Sequence, residues 1–192
     1  KFRKNTTSFL YSYSRAVHFF FTCSRSLDDI ILKDHIYIKG EWYMRWKIKT
    51  FEELSTSELY DILVQRCDIF VVEQRCPYPD VDGADRQAWQ LIGHDEEGRL
   101  AASMRILKPG ATYDTLAMGR VAVARECRGH GYAREMMERA IDFATGVLGE
   151  NTIKIGAQDY LTGFYESLGF RRISEVYLED GIPHVDMIYQ KY

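Results

Sequence analysis

Met118-Gly-Arg-Val-Ala-Val-Ala-Arg-Glu-Cys-Arg-Gly-His-Gly-Tyr-Ala133 decides the fold. A β-prone run, Gly119 to Val123, feeds a charged turn. Arg128, Gly129, His130 and Gly131 follow, and an amphipathic helix begins. A helix start presents unpaired backbone N–H groups and the positive end of a dipole. Glycine lets the backbone approach what those groups hold, and the natural guest is a phosphate or diphosphate. The spacing excludes two familiar loops. A dinucleotide fingerprint needs Gly or Ala where Arg134 stands, and a P-loop needs a closing Gly-Lys-Ser/Thr.

Arg128-x-x-Gly131-x-Ala133 resembles the R/Q-x-x-G-x-G/A signature of the GCN5-related N-acetyltransferases (GNAT). Downstream, Phe164-Tyr165-Glu166-Ser167-Leu168-Gly169-Phe170 is similar to that superfamily's Phe-Tyr-x-x-x-Gly-Phe segment. Three further runs, Phe70 to Gly83, Lys108-Pro109-Gly110 and Glu179 to His184, resemble the ElaA-like family. The resemblance runs from Met44 to the C-terminus. It implies an α/β (α+β) GNAT fold, with a central mixed, mostly antiparallel sheet flanked by helices on both faces.

Periodicity supplies the remaining elements. Met44 to Lys49 alternates as a strand. Ser55-Thr56-Ser57-Glu58 is a capping box opening a helix through Arg66. Ile69 to Glu73 continues as a short helix or turn. Gln87–His94 and Leu100–Leu107 form a hairpin. Ala133, Met136, Met137, Ala140, Ile141 and Ala144 mark the buried stripe of the helix after the glycine loop. Thr152–Gly156 is a strand and Leu161–Leu168 a helix stopped by Gly169. Arg171–Tyr177 and Val185–Tyr189 are the last strands, flanking a Glu179–His184 loop.

The chain has 192 residues and a net charge of −3. Residues 1–43 hold seven bases and four acids, leaving the rest at net −6, which argues against nucleic acid as a bulk electrostatic partner. No apolar run is long enough for a membrane span. Cys23, Cys67, Cys76 and Cys127 show no metal-ligand or disulfide pattern, so no metal is expected and the cytoplasm is the default compartment.

Residues 1–43 are set apart as an extension of doubtful origin, and residues 44–192 as the GNAT domain. Up to Ser26 the extension is basic, Ser/Thr-rich and acid-free, which suits a transit peptide. Alternatively, Lys39-Gly40-Glu41 can be encoded by a ribosome-binding sequence, which makes Met44 the start and the extension translated upstream DNA.

The resemblance also implies chemistry. Acetyl-CoA is the donor and a small-molecule or peptide amine the acceptor, for a monomer or homodimer. The pantetheine arm pairs with the strand at Val121, Ala122 and Val123. Arg128, Gly129, His130, Gly131, Tyr132 and Ala133 hold the diphosphate, through charge-assisted hydrogen bonds of about 1.5–3 kcal/mol each. Gln158, where many members carry Asn, reaches a CoA carbonyl. Tyr165 is the general acid that protonates the leaving thiolate. A lysine-like amine, pKa about 10.4, costs about 4.6 kcal/mol to neutralise at pH 7. Glu73 is the first candidate for the base, with Asp80, Asp82 and His184 as competitors. The alternatives are a non-catalytic acyl-CoA-binding module and an acyl-carrier-protein-dependent synthase, the intact loop favouring CoA over the latter.

Overall fold

The computed structural model of the chain describes residues 44–192; both readings of the N-terminal extension lie outside the described residues. Eight strands form one sheet: β1 (Arg45–Thr50), β2 (Ala88–His94), β3 (Leu100–Leu107), β4 (Leu116–Val123), β5 (Thr152–Gln158), β6 (Arg171–Arg172), β7 (Tyr177–Glu179) and β8 (Ile182–Gln190). Their order is β1-β2-β3-β4-β5-β8-β6, and β7 also pairs with β8. Every pairing is antiparallel except that of β4 with β5. The mixed, mostly antiparallel sheet expected from sequence is therefore the sheet observed.

Helices cover both faces. The capping box forms as read: the Ser55 hydroxyl accepts the Glu58 amide at 3.1 Å, and the Glu58 carboxylate accepts the Ser55 amide at 2.9 Å. It opens α1 (Thr56–Arg66), which runs on as a π-helical turn over Cys67–Glu73. Helix α2 (Tyr132–Asp142) buries Met136, Met137 and Ala140 in the same apolar cluster as Ala102, Met104 and Ile106 of β3. Side chains alternate across a strand, so Ser103 and Arg105 face the other way, toward α1. There the Ser103 hydroxyl donates to Gln65 Oε1 at 2.6 Å. One face of the sheet is an apolar core. The other buries Arg66, Gln90, Ser103 and Arg105 beside Ile62, and at Arg105 it opens on a cleft.

Two expectations at the C-terminal end need correction. Arg171–Tyr177 is not one strand. The Ser174 hydroxyl takes the Asp186 amide at 2.8 Å, so the chain bulges off β8 and returns only at Tyr177. Glu179–His184 is not an open loop. Glu179 pairs directly with Ile182, and the connection is Asp180-Gly181 with φ of 51° and 80°. Two successive positive φ values define the tight hairpin turn that matches strand twist, and His184 therefore sits inside β8.

Helix α3 (Thr162–Glu166) follows a short 3-10 turn, so the helical piece is shorter than Leu161–Leu168. Among the described residues, no helix is long and apolar enough to cross a membrane.

Candidate active site

Strands β4 and β5 pair for only two residues, Leu116 with Ile153 and Ala117 with Lys154, and then diverge. The Ala124 amide donates to Ala101 on β3 at 2.8 Å. By alternation, the backbone groups of Val123 and Val121 point the opposite way, into the gap. A strand edge left without a partner is a template for an extended guest.

The geometry of β4 is irregular where the gap opens. Ser103 faces Ala122 but Arg105 faces Gly119, so Met104 is opposed by two residues. This bulge puts Arg120 at φ 55°, a left-handed conformation that costs a non-glycine residue about 1–2 kcal/mol. Bulges of this kind re-aim a strand beside a site.

A cleft of about 590 Å³ occupies the gap. Its lining includes Val121, Ala122, Val123, Arg128, Ala133, Gln158, Glu73 and Tyr165, residues that sequence reading brought together from distant parts of the chain. The loop from Gly129 to Tyr132 links Arg128 to Ala133. Gly129 and Gly131 have φ of 82° and 83°, and a Cβ at either would meet nothing within 4 Å. Among the described residues, the amides of Gly129, Gly131 and Ala133 have no acceptor, while those of Arg134 and Glu135 already close on the Gly131 carbonyl. The first turn of α2 thus offers several free donors beside a strand edge. The Tyr132 ring is buried in the core, so this residue could offer a ligand only its backbone. His130 leans on Tyr132, its Nδ1 3.4 Å from the Cys127 carbonyl.

Tyr165 enters from α3. Its ring is buried against Phe164 and Phe170, at centroid distances of 5.1 and 5.9 Å. No described residue hydrogen-bonds its hydroxyl, and Tyr165 lines the cleft. Burial pushes this phenol up to about 12. Arg134 ties α3 to the glycine loop, donating to the Ser167 hydroxyl at 2.6 Å.

The four candidate bases fare differently. Glu73 is gripped end-on by Arg128, at 2.6 and 3.1 Å, with Arg125 at 3.4 Å. The Arg128 hydrogen bond holds its carboxyl below the usual carboxylate range. Arg128 also donates to the Val123 carbonyl at 3.0 Å, which places this pair at the loop end of the cleft.

Asp80 and Asp82 belong to a charge network on the polar face of the sheet. Arg66, almost wholly buried, donates to Asp80 at 2.8 Å and to Asp85 at 2.7 Å. Arg105 holds Asp82 end-on with two bonds of 2.8 Å. Arg120 donates to Asp80 at 2.8 Å, and its guanidinium lies 5.2 Å from the Tyr78 ring centre. Burial alone would raise both carboxyls. Hydrogen bonds from Tyr78 and Arg66 nevertheless hold Asp80 low, and Arg105 brings Asp82 to about 2. His184 also lines the cleft, its Nδ1 2.8 Å from the Ile182 carbonyl.

Sequence reading missed Arg66, Arg105 and Arg120. Arginine within the apolar run Leu100–Leu107 was the available signal, because a charge on a strand covered on both sides must be paired. Gln158 was read as a CoA contact; in the structure it donates to Gln74 at 3.2 Å across the cleft. Among the described residues, no group of three or more His, Cys, Asp or Glu side chains is placed to hold a metal ion.

Comparison with known proteins agrees with this geometry. The sequence model of the acetyltransferase (GNAT) domain matches residues 78–191. Protein ElaA of Escherichia coli is 38% identical over 146 residues, covering 75% of this chain and 95% of that protein. A UPF0039 protein of Schizosaccharomyces pombe is 39% identical over 140 residues, covering 72% and 92%. Among solved structures, an acyl-CoA N-acyltransferase from Pseudomonas aeruginosa superposes with a TM-score of 0.73 at 36% identity, over 77% of this chain and 99% of that one. The crystal structure of E. coli ElaA superposes at 0.72 with 37% identity, over 77% and 100%. The splayed strands and the glycine loop are thus those of an acyltransferase, and the chain belongs to the GNAT superfamily, in its ElaA-like family.

Proposed function

We propose that this chain moves the acetyl group of acetyl-CoA to a primary amine by direct attack, with donor and acceptor bound together in the cleft. One observation carries the reading. The edge of β4, without a strand partner at Val121 and Val123 and with only the Val123 carbonyl taken, by Arg128, runs directly into a loop whose Gly129, Gly131 and Ala133 amides lack acceptors. An extended amide-bearing arm ending in a diphosphate fits that sequence of donors and acceptors. Arg128 would add a charge, since its pair with Glu73 is solvent-exposed and such pairs hold their partners weakly.

In this reading the thioester lies beside the β4 bulge, and a backbone N–H near Val121 polarises its carbonyl. Tyr165 gives a proton to the departing sulfur. Gln158 stays near the pantetheine. Glu73 takes a different part from the base that sequence suggests. A carboxylate held low by Arg128, at the loop end of the cleft, is suited to positioning that arginine and poorly suited to accepting a proton. A purely binding module has no evident use for an unpartnered hydroxyl buried at the cleft wall. The test is release of free CoA thiol from acetyl-CoA over a panel of amines, with the acetylated product identified by mass. Turnover on at least one amine is expected; tight binding with no turnover on any amine would favour the module instead.

A further inference from the structure

We infer that His184 is the catalytic base, taking the proton of the incoming ammonium on Nε2; this rests on the proposed acetyl transfer. His184 lies in β8 between two neighbours, registered with Gln158 of β5 on one side and with Tyr177 of β7 on the other. Its ring is parted from the Tyr177 ring by 6.2 Å at an interplanar angle of 27°. Backbone and ring are therefore both held. Nδ1 stands 2.8 Å from the Ile182 carbonyl, an atom that can only accept. In the neutral imidazole that contact puts the hydrogen on Nδ1 and leaves the Nε2 lone pair free. His184 lines the same cleft as Tyr165, the proposed acid.

The charged surroundings suit this role. Glu179 and Asp180, from the β7–β8 hairpin, line the cleft beside His184, and neither has an ion-pair partner among the described residues. The carboxylate of Asp186, two residues along β8, is taken up by Lys154 at 2.8 Å and by the Tyr177 hydroxyl at 2.9 Å. On the other walls, Arg105, Arg120 and Arg128 line the cleft but are each tied to a carboxylate. Cys76 points its thiol at the Asp180 carbonyl, and Tyr113 holds Lys154 against its ring. The net field at the hairpin side is negative, so a cationic amine is drawn toward the imidazole.

The step balances. The ammonium gives one proton to Nε2. The neutral amine forms the N–C bond, the C–S bond breaks with its pair on sulfur, and the thiolate takes the Tyr165 proton. The new amide nitrogen surrenders a second proton, which restores the phenol through solvent. The proton on Nε2 leaves to water, so one proton is released per acetyl transferred.

The experiment compares wild type with His184→Gln and His184→Ala, using the best amine of the panel. Both variants are expected to lose at least tenfold in kcat, with KM for acetyl-CoA changed less than threefold. The acid limb of the wild-type pH–rate profile should disappear in both. Added imidazole should restore part of the His184→Ala rate and leave wild type unaffected. Long-range 15N–1H correlation spectra of the wild type should show hydrogen on Nδ1 at high pH. Wild-type turnover with an unchanged acid limb in His184→Gln, or hydrogen on Nε2, overturns the assignment alone. Absence of wild-type turnover on every amine overturns the acetyl-transfer reading beneath it.

Discussion

Replacing Tyr165 by Phe removes one oxygen and leaves the packing in place. The ring keeps its contacts with Phe164 and Phe170, and no described residue loses a hydrogen bond. Stability should therefore change by less than about 1 kcal/mol, since isosteric apolar swaps are tolerated best. Catalysis should respond much more. A phenol near 12 facing a thiol of pKa about 8.5 makes full proton transfer uphill by about 5 kcal/mol. Without burial, at pKa about 10, the same transfer would cost about 2 kcal/mol. Burial keeps the proton on Tyr165 until sulfur becomes anionic. What the hydroxyl then supplies is a hydrogen bond that strengthens with the developing charge. Such a bond to a charged group is worth about 1.5–3 kcal/mol, or about 10- to 150-fold in rate at about 1.4 kcal/mol per decade. The assay is steady-state release of CoA thiol at saturating acetyl-CoA, with the melting temperature measured alongside. A fall in kcat with KM for acetyl-CoA within threefold supports the acid role. An unchanged kcat in a folded variant would refute it.

The remaining predictions concern stability. Arg66→Met removes the most deeply buried partner of Asp80 and Asp85, leaving Arg120 on the first and Arg105 on the second, and should cost about 3 kcal/mol in urea unfolding, the low end for breaking a buried ion pair because each carboxylate keeps one guanidinium; a loss below about 1 kcal/mol would show that those remaining arginines compensate fully. Gly93→Ala drives a methyl to 2.6 Å from the Trp46 ring, so overpacking of about 1–3 kcal/mol is expected from thermal unfolding. Against burial, which would raise both groups, Glu58 is held near 2 by Lys49 and Asp82 near 2 by Arg105. Both folded values lie below ordinary carboxylate values, so their contribution is complete above about pH 4.5 and is lost as pH falls toward 2. Unfolding free energy measured across that range should decline, and Asp82→Asn should flatten part of the decline.

Local chemistry made much of this fold legible. The capping box, the Leu100–Leu107 strand and the buried stripe of α2 depend on neighbours a few residues apart, and each forms where the sequence places it. The glycine loop was readable because its backbone needs are strict: two left-handed positions with open space above them. The buried arginines were not legible in the same way. Arg66 has unremarkable local sequence and Arg105 only its place in an apolar run, and the packing of α1 against β3 is what makes both interior. The Asp180-Gly181 turn is legible in principle, since Asp-Gly is a strong hairpin dipeptide, and it is what makes Glu179–His184 a tight turn between strands and not a loop. The turn places His184 in β8, paired on both sides, and not in the loop expected from sequence. The pairing of Glu73 with Arg128 spans 55 residues, and no local pattern announces it.

The central claim is that free amides at the start of α2, together with the open edge of β4, receive the coenzyme. Amide 1H–15N spectra recorded during a titration with CoA test it residue by residue. The account predicts that the Gly129, Gly131 and Ala133 signals move downfield as those groups gain anionic acceptors, with Val121 and Val123 shifting in the same concentration range. Saturating CoA that leaves these five signals in place would contradict it.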